Sequence, residues 1–145
     1  MRRLHEMGLN FTQVGMRSFS KEEWDLVQSQ GWQPFLMSRI RREADWIETA
    51  CKEISGPVYL TFDVDGLDPS IMPATGTPEP AGLLWDECVS FLRRLVRDHT
   101  IVGCDFVEFS PRPGAEHAAF TIAKLIYRTL GFIYQKKICS EQGEP

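Results

Sequence analysis

Asp63 and Asp65 sit two residues apart in the run Val58-Tyr59-Leu60-Thr61-Phe62-Asp63-Val64-Asp65-Gly66-Leu67-Asp68-Pro69. On an extended strand, residues at i and i+2 project to the same side, so both carboxylates would leave the strand's carboxyl end together. Two like charges held that way are costly unless a cation compensates them, and the chemistry the pair suits is the grip of a divalent ion. A bare D-x-D also occurs as two surface carboxylates in a turn. Its meaning depends on what surrounds it.

The element that would aim the pair is the strand Val58–Phe62, apolar, rich in β-branched and aromatic residues and preceded by Gly56-Pro57. It reads as a buried parallel strand, and open α/β sheets bind ligands at the carboxyl edge of such strands. Gly66 permits a sharp turn, and Asp68-Pro69 begins a loop too rich in Pro, Gly and Thr for helix or strand. Before the strand, Met1–Met7 reads as a helix end stopped by Gly8, and Phe11–Met16 as a strand. Ser20 with Glu22 and Glu23 starts a helix to Gln30, which Gly31 ends. Phe35–Met37 is a short strand. Ser38–Ile54 reads as one helix with Ile40, Ala44, Ile47 and Cys51 at helical spacing. Beyond the loop come a helix at Trp85–Arg97, an apolar strand at Ile101–Phe109 and a helix at Ala115–Phe132, with residues 140–145 as a disordered tail. Strands alternating with helices predict a mainly parallel sheet covered on both faces, a three-layer α-β-α domain over residues 1–139.

Composition narrows the partners. The 145 residues are 43% hydrophobic and 25% charged, with a net charge of −4. That profile suits one domain with a real core and gives nucleic acid no basic patch. No apolar run reaches membrane-span length. Cys51, Cys88, Cys104 and Cys139 form no C-x-x-C pair, and His5, His99 and His117 fall in no H-E-x-x-H context. Reduced thiols in a cytoplasmic protein are the expectation.

The longer block Phe62-Asp63-Val64-Asp65-Gly66-Leu67-Asp68-Pro69, continuing through Thr75-Gly76-Thr77-Pro78-Glu79-Pro80, resembles the signature of the ureohydrolase (arginase/agmatinase) family, with the agmatinase branch nearest. The resemblance implies that Asp63 and Asp65 bind Mn²⁺ in a two-metal site, which suits hard carboxylate donors. It implies hydroxide attack on a guanidinium carbon, with agmatine giving putrescine and urea. Arginine, guanidinobutyrate, guanidinopropionate or formimidoylglutamate are alternative substrates. Val107-Glu108-Phe109-Ser110-Pro111 is similar to the family's V-E-x-x-P segment, which makes Glu108 the partner of the substrate guanidinium. Asp68 reads as a turn cap rather than a ligand, while Thr75, Gly76 and Thr77 would hold and shape the metal loop. Asp105, of opposite strand parity to Glu108, is expected to be structural. Arg17, in a segment similar to the family's G-I-R, reads as a salt bridge or subunit contact.

The resemblance covers only the carboxyl half of the family's domain. The G-G-D-H and D-A-H-x-D segments, which bring histidines and further aspartates to the metals, have no counterpart here. The expectation is therefore an incomplete chain, inactive alone, from a truncated frame, a fragmentary gene model or a split gene. The other reading is a non-catalytic paralogue docking on a full-length ureohydrolase. Either would leave an apolar sheet edge and helix faces bare. Homo-oligomers are implied for the complete protein.

Overall fold

The computed structural model describes residues 1–142, which divide into two compact units, Met1–Ile54 and a second that begins at Ser55. In the first unit, α1 (Arg2–Glu6) ends before Gly8, whose φ of 71° takes the left-handed turn expected of it. The strand β1 (Val14–Met16) runs parallel to β2 (Phe35–Leu36). Between them lies α2 (Lys21–Gln30). It opens on a reciprocal capping box, with Glu23 N–H donating to Ser20 Oγ at 3.2 Å and Ser20 N–H donating to Glu23 Oε2 at 2.7 Å. Gly31, at φ 67°, closes it.

The single helix read over Ser38–Ile54 is two, α3 (Met37–Ile40) and α4 (Trp46–Glu53). The buried residues are Met37, Ile40, Trp46, Ala50 and Cys51. Ile40 and Trp46 are six residues apart, a spacing that a straight 3.6-residue helix places on different faces. The break resets the phase so that both reach the core. The β1 and β2 strands are likewise shorter than read, because Met37 already belongs to α3 and Phe11–Gln13 lie outside β1.

In the second unit β3 (Val58–Asp63) pairs parallel with β4 (Ile101–Val107), Leu60 facing Cys104 and Asp63 facing Val107. The residues joining them form a 3₁₀ turn (Val64–Gly66), a long loop and α5 (Trp85–Asp98). The helix α6 (Glu116–Gln142) follows. The α5–α6 contact is the core of this unit and contains Cys88, Leu92, Leu95, Ala118 and Leu125, all at most 2% exposed. Burial in that core pushes the Cys88 thiol up to about 12. Lys136 Nζ ties α6 to the end of α5 by donating to the carbonyls of Val96 and His99, each at 2.9 Å.

Two expectations need correction. The β3 strand is not buried on both faces: Leu60 is 9% exposed and Tyr59 61%. The Tyr59–Thr61–Asp63 face is exposed, and its polar groups bond along the sheet. Tyr59 Oη donates to Asp105 Oδ2 at 2.9 Å and Thr61 Oγ1 donates to Asp105 Oδ1 at 2.7 Å. Second, α6 runs through Gly131 to Gln142, so residues 140–142 are helical rather than tail; residues 143–145 lie outside the described residues. Both strand pairs are parallel, as the alternation of strands and helices predicts. Phe120, Tyr127, Leu130 and Tyr134 on α6 are each more than half exposed, which leaves part of that helix apolar and bare. No helix among the described residues is long and apolar enough to cross a membrane.

The Asp105 carboxylate raises the Tyr59 phenol above its ordinary value of 10.0, first by accepting its hydrogen bond and then by its charge. Asp105→Asn is expected to return the Tyr59 titration, followed by ultraviolet absorbance, toward the ordinary value. An unchanged titration would mean that the two side chains do not meet in solution.

Candidate functional site

The carboxyl end of β3 is where the acidic residues gather. Asp63 is the last residue of the strand, and Asp65 lies in the following 3₁₀ turn rather than on an extension of it. The strand-parity reason for their joint projection therefore does not apply. What holds them together is the turn: Asp65 N–H donates to Asp63 Oδ1 at 3.0 Å. Thr77 Oγ1 donates to Asp65 Oδ2 at 2.7 Å, so the 75–77 loop reaches back to the acidic pair.

Glu108 arrives from the neighbouring strand. It sits just past β4 rather than inside it, at φ 65°, a left-handed conformation rare for a residue with a Cβ. This sharp departure re-aims the side chain, and it ends the strand two residues before the sequence pattern does. Partial desolvation raises the Asp63 carboxyl above its ordinary value of 3.8, opposed by the Asp65 N–H bond and reinforced by the negative charges of Asp65 and Glu108. Asp63, Asp65 and Glu108 share one rim.

The loop around that rim is built from backbone contacts. Leu67 and Leu83 form a parallel bridge, with Asp68 N–H donating to Leu83 O and Leu83 N–H donating to Gly66 O, both at 2.9 Å. Asp68 holds this fold of the loop: Oδ1 accepts from Ser70 Oγ at 2.6 Å and Ser70 N–H at 3.0 Å, and Oδ2 accepts from Gly82 N–H at 3.2 Å. The Ser70 bonds are the main reason its carboxyl lies below the usual range. Asp68 is a turn cap here. Thr75 is 1% exposed, pairs with Phe109 in an antiparallel bridge and, among the described residues, leaves its buried hydroxyl without a partner. Gly76 and Thr77 are exposed beside it. Ala74, fully buried, has no positive φ, so its Cβ costs the loop nothing in backbone strain.

Sequence pattern missed two residues of this rim. Arg112 Nη2 donates to Thr75 O at 2.5 Å, a contact to main chain that side-chain spacing does not announce. Gly82 packs so tightly that a Cβ there would lie 2.5 Å from the Leu67 carbonyl carbon. Its place in Pro80-Ala81-Gly82 was the available signal.

The donor set fits Mn²⁺ in kind, two hard carboxylates supported by a threonine hydroxyl, but not in number. Among the described residues no three His, Cys, Asp or Glu side chains are arranged to hold a metal. The histidines are engaged elsewhere: His5 lies edge-on to Trp32, His99 caps α5, and His117 stands in the first turn of α6.

A parallel strand pair with acidic side chains at its carboxyl end, closed by a Pro/Gly loop, is an α/β arrangement of the kind that binds ligands at that edge. The chain belongs to the arginase family, whose family model matches residues 1–131. It is 38% identical over 133 residues to an N(1)-aminopropylagmatine ureohydrolase of Synechocystis, covering 91% of this chain and 44% of that protein. It is 32% identical over 130 residues to an agmatinase of Pyrococcus horikoshii, with 90% and 45% covered. The arginase of Bacillus subtilis superposes with a TM-score of 0.77 at 28% identity, over 83% of this chain and 44% of that one. The fold is thus part of the arginase fold, and the chain spans less than half the length of the relatives it matches.

Proposed function

We propose that this chain carries one part of the active site of a manganese-dependent ureohydrolase that cleaves a guanidino C–N bond. The observation behind this reading is the meeting of Asp63, Asp65 and Glu108 at one rim. Asp63 and Asp65 would hold Mn²⁺, which when bound acidifies water for attack on the guanidinium carbon. Glu108 would pair with the guanidinium and orient it. Thr77 fixes one Asp65 oxygen, Asp68 holds the loop, and Thr75 and Gly76 shape it. Agmatine, giving putrescine and urea, is the proposed substrate. The relatives' names add agmatine bearing an aminopropyl group, and the other guanidino acids named above stay as alternatives. The partner is a small guanidino compound rather than nucleic acid or membrane, in a cytoplasmic protein that forms homo-oligomers when complete.

Fusing the chain to the amino-terminal portion of a relative is expected to yield Mn²⁺-dependent urea release, and a panel of guanidino compounds then ranks the substrates. No release from a folded fusion with any of them would reject the reading. The absence of a complete ligand set favours a second reading, a non-catalytic chain that docks on a full-length relative. That one requires the purified chain to bind no stoichiometric Mn²⁺ and to be stabilised by the relative.

A further inference from the structure

Two stretches that approach each other behind the acidic rim are joined at three points. Ser110 N–H donates to Ala74 O at 2.9 Å, Thr75 bridges Phe109, and the Arg112 guanidinium donates to Thr75 O at 2.5 Å. The first stretch continues two residues on to Thr77, whose hydroxyl holds Asp65 at 2.7 Å. The second begins with Glu108, held at φ 65°. A left-handed glutamate is strained by its Cβ and persists only where neighbouring contacts over-determine it. The strongest of the three contacts is the Arg112 bond, since a charged donor on a carbonyl exceeds a neutral backbone bond.

We propose that Arg112 is a positioning residue for the acidic rim. Its grip on the Thr75 carbonyl locks residues 74–77 to residues 108–112, and this sets both the Thr77 hydroxyl on Asp65 and the direction of Glu108. Arg112 touches neither Asp65 nor Glu108 in this scheme and acts through the backbone of Thr75. This rests on the reading of Glu108 and Asp65 as functional groups for its meaning, but the lock itself is independent of activity.

Amide hydrogen exchange and nitrogen-15 spectra of the metal-free chain test the lock. Arg112→Ala is expected to speed exchange at Ser110 N–H about tenfold, the factor that one lost hydrogen bond carries, and to move the Asp65 and Thr77 amide signals. Amides of α5 and α6 should stay as in the parent. Arg112→Lys, which keeps a cationic donor, should restore most of the Ser110 protection. Thr77→Val should move Asp65 but leave Ser110 protected, because it acts downstream of the lock. Parent-like exchange in Arg112→Ala, or a loss spread evenly through α5 and α6, overturns the proposal. If Arg112→Ala fails to fold, Arg112→Gln is read in the same way: intermediate Ser110 protection supports the lock and parent-like protection overturns it. In the fusion enzyme, Arg112→Ala is expected to lower kcat/KM about 10–100-fold with Lys rescuing, as for residues that orient ligands from outside the site. A fusion that is inactive with every substrate rejects the ureohydrolase reading and leaves the exchange result standing.

Discussion

Asp63→Asn is expected to cut urea release by the fusion enzyme by roughly two to three orders of magnitude, the size of effect that follows loss of one group stabilising developing charge. The metal-free chain should not lose stability with it. The Asn carbonyl can still accept the Asp65 N–H, so the turn survives. The pH response separates the roles further. The Asp63 carboxyl is raised above 3.8 in the folded chain, first by desolvation and then by its acidic neighbours. The folded state therefore holds this proton more tightly than the unfolded state. The favourable contribution is fully present below 3.8 and is lost as pH rises through the raised folded value. Asn does not ionise and removes that loss, so the midpoint at neutral pH should equal or exceed the parent's by a small margin, Asp63 being largely in solvent. Thermal melts across acidic to neutral pH check this. A clear drop in midpoint alongside lost activity would make Asp63 a structural residue.

Gly82→Ala should have the largest effect on folding. A Cβ at this position would lie 2.5 Å from Leu67 C, 2.6 Å from Asp68 N and 2.6 Å from Leu67 O. All three are backbone atoms, so no rotamer change can relieve the overlap. The Leu67–Leu83 bridge and the Gly82 N–H bond to Asp68 must part instead. Overpacking of this kind costs about 3 kcal/mol or a little more. For a chain of this size that lowers the melting midpoint by roughly 10 °C. Gly76→Ala is the control, since nothing lies within 4 Å of its added Cβ. Equal midpoints for the two variants would mean that the loop does not close this tightly in solution.

Local chemistry was legible wherever one residue decides the outcome. Gly8 and Gly31 end their helices, and Ser20 and Glu23 cap α2. The acidic motif with its Pro/Gly loop pointed to the family. What pattern could not supply was anything decided by packing or by main chain. The α3–α4 break depends on which faces meet the core. The end of β4 depends on a left-handed φ at Glu108, which its residue type disfavours. The helix read as ending at Phe132 continues to Gln142, where Lys136 ties it to the end of α5 across the chain. Arg112 acts on a carbonyl, and every residue has one. The contact between Asp63 and Asp65 likewise has a cause other than strand parity, a 3₁₀ turn.

The hydrogen bond from Thr61 to Asp105 joins positions 44 residues apart in the chain. Closing so long a segment carries an entropic cost before any strand contact rewards it, whereas α5 and α6 can begin to form from near neighbours. The order of assembly should therefore be helices first and the β3–β4 register late. Until that late step Glu108, one residue past the Val107 that faces Asp63, has no fixed place near the acidic pair. Protection of the β3–β4 amides should therefore appear after that of α5 and α6 when the chain refolds.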